Sequence, residues 1–238
     1  MKRIVLVILK LFFPIIAWIF KIKSYVKKED LVQEKYVFLQ NIVEKINKKG
    51  KINVLYTGQE NLPKEDGYLI TPNHQGMYDP LLVVHTHKKP LRLVFKQELT
   101  KVFLVKDVLK MLKCLPMDRG DVRQSLKVIN EMSKEIESGI NFVIFPEGTR
   151  SKNKNELLEF KHGSFKAAMK VKAPIVPVAI LNAYKVFDSK DVKPVDVEIH
   201  YLEPIYYEEY KDLKSAQIAA LVEDRIKAKI KEREGIVV

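Results

Sequence analysis

The chain has 238 residues, enough for one α/β domain with an appendage, and its 47% hydrophobic and 30% charged content excludes a disordered protein. It is strongly basic: 42 Lys and Arg against 30 Asp and Glu leave a net charge of +12, which favours a polyanionic partner such as nucleic acid, an anionic membrane surface or a phosphorylated substrate. Cys114 is the only cysteine, so the sequence excludes an internal disulfide and a cysteine-rich metal site.

The N-terminal segment, residues 4–20, is apolar except for Lys10 and Pro14. A helix of this length would measure roughly 25 Å, and it has fewer than the ~20 residues that usually span a bilayer. We expect it to lie in one leaflet or to dip into it, with lysines on the lipid headgroups. A spanning helix and a cleaved signal peptide are the alternatives, although no small-x-small cleavage site follows. The flanking basic residues are Lys2, Arg3, Lys21, Lys23, Lys27 and Lys28.

Residues 29–48 show a second helical pattern, which Gly50 is expected to end as a C-cap glycine. This helix fits either the core of the main domain or the second arm of a membrane-docking helix pair. We therefore divide the chain into a membrane-associating helical pair, residues 1–49, and an α/β domain, residues 50–238. The apolar stripe of the second helix consists of Val32, Tyr36, Leu39, Val43 and Ile46.

After Gly50, short apolar runs alternate with helical patterns. Such alternation predicts an α/β fold with a mixed, largely parallel central sheet flanked by helices. The predicted strands are 52–57, 68–72, 91–95, 141–145, 175–181 and 195–202, and the predicted helical segments are 80–88, 97–113 (one or two helices), 122–138, 161–172 and 208–232.

The turn after the 68–72 strand carries His74 and Asp79. Histidine exchanges a proton near neutral pH, and a carboxylate against one ring nitrogen would fix the tautomer and raise the basicity of the other nitrogen. Gly76 permits a turn tight enough to bring the two together. Because Asp79 precedes Pro80, we also expect it to cap the helix that begins there. A capping aspartate beside an ordinary loop histidine is the alternative from this stretch alone.

A second polar turn follows the 141–145 strand. Arg150 offers a planar fork of donors suited to a phosphate, and Gly148 lets backbone N–H groups approach an anion. Glu147 could orient Arg150 or hold the turn. A surface turn with a Glu–Arg ion pair is the alternative. Lys96 and Arg119 each end a strand-like run, so they could face the same crevice, or they could be solvated surface charges.

These stretches together resemble the glycerolipid acyltransferases, over about residues 50–205. Within that family they look most like the bacterial 1-acylglycerol-3-phosphate acyltransferases. One departure is Cys114, which stands near a position where the family often has Gly. The matching motifs, in order, are Asn73-His74-x4-Asp79, Phe145-Pro146-Glu147-Gly148-Thr149-Arg150-Ser151, Phe160-Lys161-x-Gly163 and Ile175-Val176-Pro177-Val178.

The resemblance implies a reaction and a set of roles. His74, held by Asp79, would deprotonate the sn-2 hydroxyl of 1-acylglycerol 3-phosphate as it attacks an acyl thioester, which gives phosphatidic acid. The sequence has no Gly-x-Ser-x-Gly elbow, so we expect direct attack and no covalent acyl-enzyme. The phosphate would be held by Arg150, Arg119 and Lys96, and the motifs would be supported by Asn73, Glu147, Gly148, Thr149 and Gly163.

No cofactor or metal is expected, and the donor would be acyl-CoA or acyl-carrier protein. The expected partners are lysophosphatidic acid and an anionic phospholipid membrane, with no nucleic acid because the lysines form no recognisable reading motif. The protein would sit on the cytoplasmic face of the cell membrane through monotopic or re-entrant N-terminal helices.

Three alternatives stay open from the sequence. The acceptor could be glycerol 3-phosphate, another lysophospholipid or a lipid A precursor. The chain could be a metal hydrolase that uses His74, Asp79 and perhaps His85 or His87, although it has no His-Glu-x-x-His pattern. It could also be a basic, non-catalytic protein that binds nucleic acid, or a membrane-surface adaptor, which would explain the helices but not the two motifs.

Overall fold

Helices and strands alternate along most of the chain in this computed structural model, which describes residues 2–189 and 191–235. Short 3₁₀ helices cover Gln59–Asn61, Gln97–Lys101 and His162–Phe165. The other elements, in chain order, are α1 Lys2–Lys10, α2 Phe12–Val26, α3 Val32–Gly50, β1 Ile52–Thr57, β2 Leu69–Pro72, α4 Asp79–Thr86, β3 Leu91–Lys96, α5 Val105–Met111, β4 Leu115–Met117, α6 Val122–Glu137, β5 Asn141–Val143, α7 Lys166–Val171, β6 Ile175–Leu181, α8 Lys185–Asp188, β7 Val195–Tyr201, α9 Tyr207–Tyr210 and α10 Ser215–Glu234.

The strands form one sheet in the order β1-β7-β6-β2-β5-β3-β4. Every neighbouring pair is parallel except β6–β7, which is antiparallel. The mixed, largely parallel sheet flanked by helices is therefore confirmed. The strands β2 to β6 all run in one direction, so their carboxyl ends meet at the same side of the sheet, which we call the carboxyl edge.

Helices cover both faces of the sheet and create two hydrophobic cores. One core joins α2, α3, α4 and α5 to the sheet and includes the fully buried Tyr36 and Tyr68. The other joins α6, α7 and α10 to the opposite face and includes Met132 and Phe142. Every residue of β6 is buried, as expected for a central strand that is covered on both faces.

The N-terminal apolar segment is two helices and not the single helix expected over residues 4–20. Helices α1 and α2 meet at the buried Leu11 and are bent by 83° relative to each other. None of the described helices is alone long and apolar enough to cross a membrane, whereas this bent pair together meets that requirement by length and composition. Pro14 cannot donate to the carbonyl of Lys10, so the helix breaks there, and the two parts then pack on different partners: α1 on α3 and α8, and α2 on α5.

Arg3, one of the basic residues that flank the apolar segment, lies inside the fold. Its side chain is buried and donates hydrogen bonds to the carbonyl oxygens of Val186 (3.0 Å), Lys193 (2.8 Å) and Gly50. Burial lowers the pKa of the guanidinium, and the charge of Asp191 raises it. Arg3 therefore fastens α1 to the α/β domain.

Gly50 does not cap α3 as expected. It is the last residue of the helix, and the left-handed residue after it is Lys51, with φ of 54°. A Cβ on Gly50 would lie 3.2 Å from Cγ2 of Val7 and 3.3 Å from Cδ1 of Ile52. A glycine is therefore favoured at residue 50 because α1 and β1 approach it closely. The left-handed backbone conformation after the helix is adopted by Lys51.

The remaining differences concern short elements. The helical pattern over 97–113 is a 3₁₀ helix followed by α5, and the one over 208–232 is α9 followed by α10. Strand β4 was not among the predicted strands, although Arg119 was placed at the end of a strand-like run; all three of its residues pair with β3. These differences leave the order of strands and helices intact.

Candidate active site at the carboxyl edge

His74 lies in the loop that follows β2, at the carboxyl edge. Its Nδ1 is 2.7 Å from Oδ2 of Asp79, and the imidazole packs on the ring of Phe145 with a centroid distance of 4.3 Å. The Asp79 side chain is fully buried, whereas 15% of the His74 side chain is exposed. Because an ionised carboxylate only accepts hydrogen bonds, this contact assigns the proton to Nδ1 and leaves a lone pair on Nε2. The arrangement is that of an oriented general base.

The Asp79 carboxylate folds the loop instead of capping the helix. Oδ2 also accepts from the amides of Gln75 (2.6 Å) and Gly76 (2.8 Å), which precede the helix. The expected capping role is therefore wrong: α4 begins at Asp79 itself, and no side chain caps it. The glycine is needed for close approach, because a Cβ on Gly76 would lie 3.3 Å from Cα of Tyr184.

Two amide side chains on either side of His74 attach the loop to β6 and to the residues that follow it. Asn73 exchanges two hydrogen bonds with the backbone of Ile180, at 2.7 and 3.0 Å, which extends the pairing of β2 with β6. Gln75 accepts from the amide of Ala183 (3.1 Å) and donates to Oδ1 of Asn155 (2.9 Å). Both side chains are buried. The loop is thus held from both sides of the base.

Asn155 connects this loop to the C-terminal helix. Its Oδ1 also accepts from the amide of Asn182 (2.9 Å), and its Nδ2 donates to Oε1 of Glu234 (2.7 Å), the last residue of α10. Sequence reasoning missed Asn155, because it lies outside every motif and 80 positions from Gln75. Gln75 was in the predicted turn, but nothing in the sequence indicates its partners.

Glu147 holds the second turn against the first. Its carboxylate accepts from the amides of His74 (2.8 Å) and Leu158 (3.1 Å), and the side chain is buried. Burial raises the pKa of Glu147 to about 7; the two N–H donors lower it, and the charge of Asp79 raises it further. Of the two roles considered for Glu147, its contacts favour holding the turn over orienting Arg150.

Gly148 occupies the left-handed region, with φ of +71°, and its amide donates to the carbonyl oxygen of Phe145 at 3.0 Å. The glycine is therefore required by the turn conformation, since other residues are strained at this φ. Its own N–H is used by the turn, so the backbone donors that could approach an anion here are those of the residues after it.

Arg150 and Thr149 lie exposed beside the base. The amide of Ser151 donates to the carbonyl oxygen of His74 at 2.8 Å, so the backbone of Arg150 is one residue from the base-bearing loop. Within the described part of the chain, the Arg150 guanidinium has no ion-pair partner, and the amides of Thr149 and Arg150 have no acceptor. The turn thus presents a free cation and two free donors to solvent.

Lys96 and Arg119 come together two and three strands away from β2. Lys96 ends β3 and is paired in register with Met117 of β4, so Arg119 follows two residues beyond it at the same edge. Lys96 forms a 2.8 Å ion pair with Glu98, and the pKa of Glu98 is lowered by that hydrogen bond and by the charge of Arg119. With neighbouring strands about 4.8 Å apart, β3 lies roughly 10 Å and β4 roughly 14 Å from β2 across the sheet.

Gly163, the remaining predicted motif residue, lies in the 3₁₀ helix before α7. A Cβ added to it would meet no atom within 4 Å, so packing does not explain the glycine. The neighbouring Lys161 donates its amide to the carbonyl oxygen of Pro146 at 2.8 Å. The third motif is therefore attached to the second.

The other groups weighed for chemistry have structural surroundings. His87 is buried between the hydroxyl of Tyr68 and the carbonyl oxygen of Lys89, both at 2.7 Å, and burial lowers its pKa to about 4. His85 lies 3.8 Å from Glu44. A search of residues 2–189 and 191–235 finds no group of three or more His, Cys, Asp or Glu side chains that could hold a metal ion. Burial raises the pKa of the Cys114 thiol to about 12.

Two grooves away from the base have measurable volume. One of about 880 Å³ lies at the ends of β1 and β7, on the opposite side of the sheet from the carboxyl edge, beside Thr57, His200 and Lys229. One of about 290 Å³ lies between α3, α4 and β1. The charged side chains of the larger groove are largely paired with each other, as in the 3.2 Å contact of Arg225 with Glu209.

The sheet, the oriented histidine and the basic turn on the neighbouring strand suit an enzyme that takes a proton from a substrate carrying an anion. The acyltransferase family model matches residues 53–181, more than half of the chain and all of the first two motifs, and the chain belongs to that family. The resemblance seen in the motifs is thereby confirmed.

Named relatives share the same region. A 1-acyl-sn-glycerol-3-phosphate acyltransferase of Borreliella burgdorferi is 28% identical over 181 residues, which cover 75% of this chain and 72% of the relative. A Mycoplasma pneumoniae protein named "Probable 1-acyl-sn-glycerol-3-phosphate acyltransferase" is 32% identical over 144 residues, 58% of this chain and 53% of that protein. The match thus spans only about half the length of the Mycoplasma relative.

A solved structure shares the fold. The crystal structure of the 1-acyl-sn-glycerophosphate (LPA) acyltransferase from Thermotoga maritima superposes with a TM-score of 0.76 over 98% of both chains, at 23% sequence identity. The likeness extends through the N-terminal helices as well as the sheet, since it covers nearly the whole chain.

Proposed function

We propose that this acyltransferase moves a fatty acyl group from an acyl thioester to the sn-2 hydroxyl of 1-acylglycerol 3-phosphate and so forms phosphatidic acid. The observation that carries the proposal is the His74–Asp79 contact on β2 beside the Arg150 turn on the adjacent β5. It joins a base for a hydroxyl to a cation for a phosphate. The names of the Borreliella and Mycoplasma relatives, both 1-acyl-sn-glycerol-3-phosphate acyltransferases by name, support 1-acylglycerol 3-phosphate as the acceptor.

In the proposed step, Nε2 of His74 takes the hydroxyl proton as the oxygen attacks the thioester carbonyl. Asp79 holds the Nδ1 proton and stabilises the imidazolium that forms. The tetrahedral intermediate collapses with cleavage of the C–S bond, and the imidazolium returns its proton to the leaving thiolate. A positioned base of this kind contributes roughly 10²–10⁴-fold in rate. The buried, high-pKa thiol of Cys114 is unsuited to acting as a nucleophile, which supports direct attack.

The Arg150 guanidinium would hold the acceptor phosphate, because the next residue, Ser151, hydrogen-bonds the backbone of His74 and the guanidinium has no competing acid among the described residues. Arg119 and Lys96 would contribute to phosphate binding from positions farther along the carboxyl edge. There Lys96 is already ion-paired with Glu98. The unpaired amides of Thr149 and Arg150 are the donors best placed to stabilise the oxyanion, a contribution worth roughly 10²–10³-fold. Asn73, Glu147, Gly148 and Gly163 would support these groups without contacting substrate.

The substrate would reach the site from a bilayer. Helices α1 and α2 expose large apolar side chains together with lysines, which suits an anionic phospholipid surface on the cytoplasmic face of the membrane. No cofactor is required, and the donor would be acyl-CoA or acyl-carrier protein. The exposed members of this apolar face are Val5, Ile8, Leu9, Phe12, Phe13, Ile16 and Phe20.

The test is turnover by the purified chain with an acyl-CoA and, separately, acyl-carrier protein, against lysophosphatidate, glycerol 3-phosphate and a phosphate-free monoacylglycerol. We expect the largest kcat/KM with lysophosphatidate and no loss in the presence of a strong chelator. A preference for glycerol 3-phosphate would show that it is the acceptor instead of lysophosphatidate. Chelator-sensitive hydrolysis would show that the protein is a metal hydrolase. No turnover with any donor and acceptor pair would favour a non-catalytic membrane adaptor.

A further inference from the structure

The positive charge of the chain is concentrated in two segments that meet in the fold. Residues 1–50 contain eleven Lys and Arg against four Asp and Glu, and residues 86–127 have the same balance. The summed net charge of these two segments exceeds the +12 of the whole chain, so the remaining residues together carry a slight negative charge. The first segment carries α1 and α2, and the second carries α5, against which α2 packs.

The second segment also exposes apolar side chains at one place, the turn of residues 99–105 between β3 and α5. The most exposed is Phe103, with 67% of its surface open to solvent. Four lysines and one aspartate occur in residues 99–113, and the four lysines have no acidic partner within 4.0 Å in the described part of the chain. The exposed apolar residues of the turn are Leu99, Val102, Phe103 and Val105.

The turn holds Phe103 outward through a strained backbone. Leu104 has φ of 66° and ψ of −44°, and the amide of Val105 donates to the carbonyl oxygen of Phe103 at 2.8 Å. This is the rare form of γ-turn that L-residues disfavour. Leu104 itself packs inward against the core, so consecutive side chains are directed apart. The strained backbone of Leu104 keeps the neighbouring Phe103 exposed, and a binding contact explains this arrangement better than folding stability does.

We propose that the 99–105 turn is a second membrane-contact element, which inserts Phe103 into an anionic phospholipid surface beside α1 and α2. Charge favours this partner, because unpaired lysines surround an apolar tip. Continuity favours it too, since α5 begins at Val105 and packs directly on α2. The turn follows Lys96 by three residues, so the contact would place the carboxyl edge against the bilayer. In that respect it deepens the proposed function, on whose membrane attachment it rests.

Binding to vesicles of phosphatidylcholine, with and without phosphatidylglycerol, tests this proposal using the full chain and no acyl donor or acceptor. Phe103→Ser should weaken partitioning about tenfold on both vesicles, since it removes apolar area from the interface. Lys101→Gln with Lys110→Gln should weaken it about tenfold or more only on anionic vesicles. The matched controls are Tyr56→Ser, an aromatic 48% exposed on edge strand β1, and Lys64→Gln with Lys166→Gln; both should stay within about twofold of wild type.

A second readout does not depend on how well Phe103→Ser folds. Phe103→Trp in a Trp18→Phe background leaves a single reporter, because Trp18 is the only tryptophan. Its emission should shift to the blue when anionic vesicles are added. An emission spectrum that vesicles do not change, or vesicle binding by the serine and glutamine variants equal to that of wild type, would overturn the proposal.

Turnover separates this idea from the proposed function and from a soluble acidic donor. With a short-chain acceptor dispersed below its micellar concentration and no vesicles, Phe103→Ser should turn over like wild type. If the lysine variants bind vesicles normally but lose turnover only with a carrier-protein donor, the turn receives that donor and the membrane proposal fails. If wild type binds vesicles through the turn yet transfers no acyl group, only the proposed function fails.

Discussion

One carboxylate oxygen, Oδ2 of Asp79, organises the turn that carries the candidate base. It accepts from Nδ1 of His74 and from two backbone amides, so the conformation of the loop and the tautomer of the ring depend on the same atom. The spacing of the two residues made their contact predictable. The structural reason for the spacing was not predictable. The aspartate was expected to cap the helix, whereas its oxygen accepts from amides that precede the helix.

Arg150 should act on the acceptor phosphate and on little else. Arg150→Ala is expected to raise the KM for lysophosphatidate about tenfold or more, because a charge-assisted contact to phosphate is lost, and to leave turnover of a monoacylglycerol nearly unchanged. Steady-state kinetics with both acceptors would measure this. Lys152→Ala, an exposed cation two residues on, is the matched control. Equal loss on both acceptors would show that Arg150 does not read the phosphate.

Glu147 should make stability depend on pH. Its pKa of about 7 in the folded protein lies above its ordinary value of 4.5, so the folded state binds the proton more tightly. The resulting stabilisation is fully present below about pH 4.5 and is lost as the pH rises through 7.

Urea unfolding of wild type and Glu147→Gln at pH 5, 6, 7 and 8 would test this. Wild type should gain stability relative to the variant, by up to a few kcal/mol, as the pH falls from 8 to 5. Glu159→Gln, at an exposed site, should show no such trend. A difference between wild type and Glu147→Gln that is independent of pH would contradict the assignment.

Among the elements, the attachment of α1 depends on one buried side chain. Arg3→Ala should lower the free energy of unfolding by about 2–4 kcal/mol, because three carbonyl groups lose a charged donor, and Arg3→Lys should lose less. Chemical denaturation measures both, and Lys2→Ala, at an exposed position of the same helix, should change little. Stability of Arg3→Ala equal to wild type would mean that α1 is not fastened in this way.

The link from the base loop to α10 should matter to kcat more than to binding. Asn155→Ala removes the partner of Gln75, of the Asn182 amide and of Glu234, so the loop loses one of its anchors. We expect kcat to fall about tenfold with the acceptor KM unchanged. Asn153→Ala, two residues earlier and exposed, is the control. A change in KM alone would place Asn155 in substrate binding instead.

Long elements with a clear period could be predicted from the sequence, and contacts distant along the chain could not. Strands β1 and β6 have the predicted bounds, and α6 matches within one residue. The bend at Leu11 has a local signal in Pro14, which has no N–H to donate to the carbonyl of Lys10, but its 83° angle has none and follows from packing of α1 and α2 on different partners. Gly50 looked like a cap because the sequence does not show that Val7 touches it.

For the molecule as a whole, parallel strand direction is what makes the motifs one site. Residues 74, 96, 119 and 147–151 are far apart in sequence, yet each follows a strand that ends at the carboxyl edge. The order of the motifs in the chain predicted that they belong together. Their order across the sheet was not predictable, and it makes the Arg150 turn the immediate neighbour of the base.

Turnover by His74→Ala tests the central claim most directly, with vesicle binding and unfolding measured on the same preparation. With lysophosphatidate and an acyl thioester, kcat/KM should fall by roughly 10²–10⁴-fold while vesicle affinity and stability stay close to wild type. His162→Ala, at an exposed histidine, should retain full activity. A His74→Ala enzyme that is folded, binds vesicles and keeps kcat/KM within about tenfold of wild type would contradict the assignment of His74 as the base.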